Sequence, residues 1–261
     1  MKTLQRKQLK EEQKTHPQII KRMKNIPFIL LSIASIFSHT VHAQQDSSFD
    51  AKKLIIPTGL ILTGTAATYS NWGQDLNSSI QGQLYTPGKH TKLDDYIALS
   101  PSAAVYVLNA LGNKGKHSFT DRTVIIGTSY LMAYPIVIVT KEATGILRPD
   151  GSTYNSFPSG HTAIAFASAE FLRMEYKDVS VWYGIAGYTV ATAVAGLRVY
   201  NNRHWFSDVL TGAGVGILST QLASSVQPWL SQKLFKRHYN NAMISPQLDK
   251  NSRGLVLSIR F

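Results

Sequence analysis

The residues Phe157-Pro-Ser-Gly-His-Thr-Ala-Ile-Ala-Phe-Ala-Ser-Ala169 join a turn to an alanine-rich apolar run. Ser159 and Gly160 predict the N-terminus of a helix, where a hydroxyl and free backbone N–H groups are available. The positive end of the helix dipole favours an anion such as phosphate there. His161 adds a group that titrates near neutrality and can deliver a proton to a leaving oxygen. Ordinary capping by Ser159 beside a surface histidine explains the same residues equally well.

A second polar cluster, Arg198-Val-Tyr-Asn-Asn-Arg-His-Trp-Phe-Ser-Asp208, precedes another apolar segment. His204 and Asp208 are four residues apart, so on a helix the carboxylate can lie beside the imidazole. Asp208 could then hold one ring nitrogen protonated and leave the other free to attack. Arg198 would reach the same anion, whereas Arg203 would point elsewhere if His204 points inward. A helix-stabilising His–Asp pair is the simpler alternative.

A third cluster, Lys141-Glu-Ala-Thr-Gly-Ile-Leu-Arg-Pro149, follows the apolar run 123–140. Lys141 and Arg148 are seven residues apart, which predicts one face of an extended helix that Pro149 ends. Two cations on one face form a site for a dianion, and arginine can bind two of its oxygens. Taken alone, such a pair is more typical of interfacial anchors that flank an apolar helix.

The three clusters occur in chain order as Lys-x6-Arg-Pro, Pro-Ser-Gly-His and Arg-x5-His-x3-Asp. In this arrangement the chain resembles the bacterial type 2 phosphatidic acid phosphatases, a lipid phosphate phosphatase family. That family shares its site with non-specific acid phosphatases and vanadium haloperoxidases. The resemblance covers residues 95–226. The family usually has Ser before the arginine of its third motif, and Leu197 in this chain removes only a minor hydrogen bond from the inferred site.

The resemblance implies a role for each matching residue. His204 would take the phosphoryl group as the nucleophile, and Asp208 would orient it. His161 would protonate the departing alcohol and then activate the water that hydrolyses the phosphohistidine. No metal and no cofactor are implied, and the spacing of histidine and acidic residues suggests none. The phosphate oxygens would be bound, and the charge of the transition state stabilised, by Lys141, Arg148, Ser159, Gly160 and Arg198.

Apolar stretches free of charge predict an all-α fold, a compact bundle of about six helices embedded in a membrane. Three or four of them approach the roughly 20 residues that a bilayer span needs, and their small residues suit packed helices. A soluble bundle of buried helices is the alternative. Residues 73–96 predict a loop, and Gly254–Phe261 predicts a short strand. The stretches are 54–72, 97–112, 123–140, 160–169, 179–197 and 209–232.

The N-terminus has the order of basic, apolar and small residues that is typical of a secretory signal. Lys21, Arg22 and Lys24 precede the apolar run 26–37, and Val41-His-Ala43 offers a cleavage site. An uncleaved anchor helix is the alternative. Either a signal or an anchor would direct the chain to export from a bacterial cytoplasm. The expected organisation is a signal peptide or anchor over 1–43, a helix and loop over 44–94, a phosphatase catalytic domain over 95–232 and a tail over 233–261.

Composition and charge narrow the classes of function. The net charge is +12, but residues 1–24 hold eight Lys or Arg against two Glu. No basic stripe interleaved with aromatic residues follows, which argues against a nucleic-acid partner. Charged residues make up 16% of the chain, below the roughly 25% of soluble proteins. The chain has no cysteine, which excludes disulfides, thiolate metal sites and cysteine nucleophiles.

The expected function is hydrolysis of a phosphomonoester or pyrophosphate on a membrane lipid, such as lipid A, undecaprenyl pyrophosphate, phosphatidylglycerol phosphate or phosphatidic acid. A soluble periplasmic acid phosphatase and an inactive membrane scaffold are the alternatives, although a scaffold would be expected to lack one of the two histidines. Basic residues at 114–116 and 233–237 prefer the cytoplasm, which places the three motifs in the periplasm. If all six stretches spanned, residue 54 would lie in the cytoplasm, whereas a cleaved signal would leave it outside. One stretch must therefore fail to span, and 54–72 and 97–112 are the weakest.

Overall fold

The computed structural model describes residues 51–235, 242–249 and 252–259. Within these ranges a 3₁₀ turn, eight α-helices and a β-hairpin follow one another. The expected leader over 1–43 lies outside them. The helices, after the turn at Ala51–Leu54, are α1 (Ile55–Tyr69), α2 (Asn71–Leu84), α3 (Leu93–Ile97), α4 (Ser100–Ala110), α5 (Phe119–Thr144), α6 (Gly160–Tyr176), α7 (Val181–Tyr200) and α8 (Phe206–Phe235). The hairpin pairs β1 (Ala242–Asp249) with β2 (Ser252–Ile259) in antiparallel register.

The predicted all-α bundle with a strand in its tail is confirmed, but the loop predicted over 73–96 is wrong. All of its first half belongs to α2, whose first turn is capped by the hydroxyl of Ser70, which accepts from the N–H of Gly73. Gly73 does not break the helix. It lets α2 fold back against α1, because a Cβ there would collide with the backbone of Ala67.

The central helix of the bundle is α8, which packs against α1, α5 and α6, while α6 also packs against α4 and α7. From α5 to α8 the chain reverses direction at each turn. The C-terminal ends of α5 and α7 therefore lie beside the N-terminal ends of α6 and α8. All three sequence motifs occupy these four ends, as predicted, and meet at one end of the bundle.

Small residues allow the central helices to approach each other closely. A Cβ at Gly212 would lie 2.5 Å from the backbone oxygen of Ser159, and one at Gly216 would overlap the backbone oxygen of Ala163. On another face of α8, a Cβ at Gly214 would lie 2.6 Å from the backbone oxygen of Pro57 in α1. Helix packing through small residues is common where helices associate within membranes.

Hydrogen bonds between side chains also join the helices. The hydroxyls of Ser129 and Thr220 lie 2.6 Å apart between α5 and α8. The hydroxyl of Tyr130 lies 2.7 Å from that of Ser168, which links α5 to α6. Tyr130 also packs against an apolar core cluster that includes Val105, Ile125, Phe171 and Tyr176.

Among the described residues, two helices are long and apolar enough to cross a bilayer, α5 and α8. Their 26 and 30 residues extend over about 39 and 45 Å, against a hydrocarbon core of about 30 Å. The sequence predicts three or four such segments. Most of α8 is buried, whereas α5 directs Leu131 and Tyr134 outward, with 76% and 64% of their surface exposed.

Substitution of Gly216 tests the close packing of α6 and α8. Gly216→Ala should lower the stability by about 3 kcal/mol or more, because the added Cβ meets backbone atoms that cannot rotate away. Gly127→Ala in α5 is the matched control. Its Cβ would have nothing within 4 Å, so the higher helix propensity of alanine should leave stability unchanged or raised by up to about 1 kcal/mol. Thermal unfolding of the purified variants measures both, and equal melting temperatures would contradict the packing described.

Candidate active site

The N-terminus of α6 forms one wall of the site. Ser159 is fully buried and caps the helix, with its hydroxyl accepting from the N–H of Thr162 at 3.4 Å and lying 2.9 Å from the hydroxyl of Thr162. The capping alternative considered for Ser159 is thus realised in the structure. The first backbone N–H groups of a helix have no partner within it, so those of Gly160 and His161 are available to an anion.

His204 lies in the turn between α7 and α8 and is 2% exposed. Its Nδ1 is 3.4 Å from Oδ2 of Asp208, in the first turn of α8. The pair forms across the start of the helix rather than along it, because α8 begins only at Phe206. At 3.4 Å it is a long polar contact rather than a closed hydrogen bond, a geometry that often tightens when substrate binds.

Asp208 accepts hydrogen bonds from two groups other than His204. The hydroxyl of Ser156 donates to its Oδ2, and so does the backbone N–H of Trp205, at 2.9 Å. The backbone oxygen of Asp208 accepts from the N–H of Ser159 at 3.0 Å. These bonds join the loop before α6 to the start of α8 and leave the carboxylate little freedom to rotate.

Lys141 and Arg148 both approach the site. The prediction that they share one face of a helix is wrong. Gly145, with φ of 58°, ends α5 at Thr144 in a left-handed cap. Arg148 therefore belongs to the loop, in a turn where its N–H donates to the oxygen of Thr153. The ammonium of Lys141 donates to the backbone oxygens of Asn155 at 2.5 Å and Ser156 at 3.1 Å.

Arg198 is the most buried of the predicted cations, at 7% exposed. Its Nη1 donates to Oδ2 of Asp94 at 2.6 Å and lies 3.5 Å from Oδ1 of Asp95. The neighbouring Arg203 is half exposed and pairs with Asp150 at 3.1 Å. Of the two arginines, Arg198 therefore faces the site and Arg203 faces away, in agreement with the sequence.

Several buried atoms of this cluster have no partner in the structure. They include the Nε atoms of Arg148 and Arg198, which are donors, together with Nδ1 of His204 and Oδ1 of Asp208. A buried guanidinium N–H without an acceptor is costly. Two such donors beside the open N-terminus of a helix form a site that an anion with several oxygens would satisfy.

The two histidines differ in their surroundings. Burial lowers the pKa of His204 to about 4, even though Asp208 acts in the opposite direction. Burial also lowers the pKa of His161, and Arg198 adds to that effect, whereas Asp95 and Asp94 oppose it. His161 remains partly open to solvent, and its Nε2 lies 3.0 Å from Oδ1 of Asp95.

The structure thus brings all eight predicted site residues to one end of the bundle, in a cluster that can bind a phosphate beside a neutral histidine. Within the described residues, no group of three His, Asp or Glu side chains is arranged to hold a metal ion. Among the described residues, three polar side chains from outside the three motifs contact the predicted residues, and sequence reasoning missed them. They are Ser156, Asp94 and Asp95.

The missed residues differ in how visible they are in the sequence. Ser156 directly precedes the Phe-Pro-Ser-Gly-His segment, but nothing distinguishes it there from the other serines of the loop. The adjacent acids Asp94 and Asp95 form a visible pair in a chain with few acidic residues. Their contacts with Arg198 bridge about a hundred residues, so no spacing rule connects them.

Known proteins with similar sequences include a phosphatase. The chain is 43% identical over 173 residues to the Lipid A 1-phosphatase of Porphyromonas gingivalis, a match that covers 65% of this chain and 38% of that protein. The chain thus spans well under half the length of this relative.

Two crystal structures are also similar. LpxE of Aquifex aeolicus is 22% identical, with 58% of this chain and 94% of that chain covered at a TM-score of 0.43. The first transmembrane PAP2 type phosphatidylglycerolphosphate phosphatase from Bacillus subtilis is 23% identical, with 70% and 98% covered at a TM-score of 0.47.

The family suggested by the three motifs is confirmed by a match over the part of the chain that contains them. The model of the PAP2 superfamily matches a stretch that begins in the first turn of α5 and ends near the C-terminus of α8. All eight predicted site residues lie within it. The chain therefore carries a PAP2 superfamily domain at residues 122–232.

Proposed function

We propose that the protein is a membrane lipid phosphatase that transfers the phosphoryl group of a lipid phosphate to His204 and then to water. The observation that carries this proposal is that His204 is buried close to the charges of Lys141 and Arg198, while the Nε donors of Arg148 and Arg198 have no partner. The site offers a nucleophile and an anion-binding cluster in one place. The expected catalytic domain over 95–232 contains all of these residues.

In the first step, Nε2 of His204 attacks phosphorus while the bond from phosphorus to the lipid oxygen breaks. Asp208, next to Nδ1, orients the ring and stabilises the positive charge that develops on it. His161 gives a proton to the leaving oxygen, so that the lipid departs as an alcohol. In the second step, His161 takes a proton from water, the oxygen of that water attacks phosphorus, and the bond to His204 breaks.

The low pKa of His204 suits a nucleophile. A histidine attacks through an unprotonated nitrogen, and a pKa of about 4 leaves the imidazole almost entirely neutral at neutral pH. The pKa of a buried base is usually lowered in this way, because desolvation disfavours the charged form. Attack would therefore be lost only as the pH falls toward 4.

The cations and the helix N-terminus would stabilise the transition state. Arg148 and Arg198 can each direct guanidinium N–H groups at equatorial phosphate oxygens, and Lys141 adds a further charge. Ser159 and Gly160 open the helix whose N–H groups face the anion. Groups positioned before the reaction do not have to reorganise during it, which makes this kind of stabilisation efficient. We propose that these residues replace the metal ion that many other phosphatases use.

The proposed substrate is a lipid with an exposed phosphate, and lipid A is the first choice because of the relative from Porphyromonas gingivalis. Undecaprenyl pyrophosphate, phosphatidylglycerol phosphate and phosphatidic acid present the same chemical group. The outward apolar faces of α5, with Leu131, and of α7, with Trp182, support a location within a membrane, where such substrates are found.

We propose that the site faces the periplasm from the inner membrane. The end of the bundle opposite the site has basic residues in its loops and helix ends, which include Lys114, Lys116, Lys177 and Lys233. Positive charge favours the cytoplasmic side, so the site would lie on the other side. A protein that stays in membranes through an alkaline wash would agree with the membrane location in this proposal and would contradict the soluble periplasmic alternative.

Activity in a chelator tests the proposed chemistry. The purified protein in EDTA should release phosphate from a panel of the four lipids, because its own cations bind the phosphate, and vanadate should inhibit it. Phosphate release with and without magnesium is the measurement. Loss of activity in EDTA that magnesium restores would contradict the mechanism, and inactivity toward all four lipids would contradict the substrate class.

Substitution at the His204–Asp208 pair tests the nucleophile. His204→Ala should abolish turnover, whereas Asp208→Asn should cost less, up to about 10⁴-fold, because it misorients the imidazole without removing it. Arg203→Gln is the matched control, since Arg203 is adjacent to His204 but pairs with Asp150. Initial rates on one lipid substrate measure all three. A His204→Ala protein with most of its activity would remove His204 from this role.

The leaving group separates the roles of the two histidines. His161→Ala should lose roughly 10²–10⁴-fold on a lipid phosphate, whose alkoxide needs a proton, and much less on p-nitrophenyl phosphate, whose leaving group needs little help. His204→Ala should lose both activities equally. The rates of each variant on both substrates are the measurement, with His90→Ala, at an exposed position, as the control.

The same variants allow the intermediate to be trapped. With a ³²P-labelled activated substrate, His161→Ala should accumulate an acid-labile, base-stable label, because the residue that activates water is missing. His204→Ala should carry no label. Label that persists without His204, or equal losses on both substrates without His161, would mean that the two roles are exchanged or that the chemistry is different.

A further inference from the structure

Two neighbouring carboxylates of α3 reach the site from outside the three motifs. Asp94 is 1% exposed, and its oxygens accept from Nη1 of Arg198 at 2.6 Å and from Nδ2 of Asn201 at 3.0 Å. The side chain of Asp95 is 49% exposed and lies 3.0 Å from Nε2 of His161 and 3.5 Å from Nη1 of Arg198.

The position of α3 is fixed by Asn201, three residues after Arg198. Its amide side chain accepts from the N–H of Thr91 at 3.0 Å and donates to the backbone oxygen of Thr91 at 2.8 Å. The hydroxyl of Thr91 then accepts from the N–H of Leu93 at 3.2 Å, at the start of α3. The short helix is thus attached to the segment that carries Arg198 and His204.

The two aspartates have different surroundings and should have different roles. Asp94 is enclosed between Arg198 and Asn201, so its contacts stabilise the fold. Asp95 is open to solvent, and its contact with Arg198 is long. Its short contact is with His161, the residue that donates the proton to the leaving oxygen in the proposed function.

We propose that Asp95 is a positioning residue for the general acid, which holds His161 through Nε2 and favours its protonated form. This inference rests on the proposed function and deepens it. With Nε2 engaged by the carboxylate, Nδ1 is the nitrogen that can face the leaving oxygen. Asp95 acts on the reaction through His161 and does not itself touch the phosphate.

The arrangement fits both proton transfers. In the first step the proton on Nδ1 passes to the leaving oxygen as its bond to phosphorus breaks. The neutral ring that remains keeps its proton on Nε2, toward Asp95, and has a lone pair on Nδ1. In the second step that lone pair accepts a proton from water as the water oxygen attacks phosphorus. A carboxylate beside the other ring nitrogen thus selects the tautomer that the second step needs.

Removal of the charge of Asp95 should shift the pH dependence of kcat/KM in one direction. Proton donation requires protonated His161, so kcat/KM should fall as the pH rises through the pKa of His161. Burial and Arg198 lower that pKa, and Asp95 and Asp94 raise it. Removal of the charge of Asp95 alone should therefore move the basic limb of the profile to lower pH, by about one unit for an opposite charge at this distance.

The experiment compares Asp95→Asn with Asp95→Glu, which keeps the charge, and with the second neutral variant Asp95→Ser. Asp178→Asn, at an exposed carboxylate near the far end of the bundle, is the matched control for loss of one negative charge. The basic limb of kcat/KM is measured on a lipid phosphate and on p-nitrophenyl phosphate. Ionisation of the substrate is common to all variants and cancels in the comparison.

Asp95→Asn and Asp95→Ser should shift the basic limb to lower pH and lose about tenfold at pH 7 on the lipid phosphate, because one pKa unit is a factor of ten. They should lose less on p-nitrophenyl phosphate. Asp95→Glu should recover most of the shift, and Asp178→Asn should match the wild type. NMR titration of ¹³C-labelled histidine, with His161 assigned through His161→Gln, should show the same lowered pKa without any reliance on activity.

The outcomes separate this inference from the function on which it rests. A basic limb and a His161 titration that do not move in Asp95→Asn, while His204→Ala is inactive, would overturn the role of Asp95 alone. Higher activity in Asp95→Asn would also overturn it, because the carboxylate would then be competing with phosphate for Arg198. An active His204→Ala protein would instead overturn the proposed function. Melting temperatures should fall for Asp94→Asn and not for Asp95→Asn.

Discussion

The carboxylate of Asp208 has no exposed surface, and a charge in that position costs several kcal/mol unless neighbouring groups compensate it. The donors that compensate it come from two parts of the chain. Ser156 belongs to the loop between α5 and α6, and Trp205 belongs to the turn before α8. Because the charge can be buried only when both are in place, the same interaction fixes the path of the loop and the start of the helix. His204 is then held in the turn beside the carboxylate.

This arrangement needs the backbones of α6 and α8 to be close together. The N–H of Ser159 reaches the backbone oxygen of Asp208 at 3.0 Å, and one turn further along α8 any side chain at Gly212 would collide with the backbone oxygen of Ser159. Glycine at that position therefore serves the packing of the bundle and the geometry of the site together. The N-terminus of α6, with its free N–H groups, lies beside the start of α8 and the proposed nucleophile His204 for the same reason that the helices pack closely.

The parts of the structure that can be predicted are those that depend on neighbours in sequence. The approach of His204 to Asp208 follows from a short spacing. Spacing alone places Arg148 on a helix face, but a left-handed residue ends the helix before it, and the arginine reaches the site from a loop. The ion pair between Asp94 and Arg198 cannot be predicted, because it forms only when α3 is tied to the end of α7. Long-range pairing of buried polar groups depends on the whole packing arrangement, whereas motifs record only residues at fixed spacing.

The buried arginines show how the fold and the proposed chemistry constrain each other. Asp94 satisfies one nitrogen of Arg198 and fixes the orientation of the guanidinium, but Nε of Arg198 and Nε of Arg148 stay without acceptors. A carboxylate at each of these two Nε atoms would make the cluster more stable, but it would fill the space that an anion needs. Partial compensation instead keeps the donors oriented and unsatisfied, so that in the proposed function a bound phosphate would supply the missing acceptors. In the proposed mechanism, the free energy that the fold gives up at these atoms would be recovered when the anion binds, and the donors would not have to reorganise as charge develops on its oxygens.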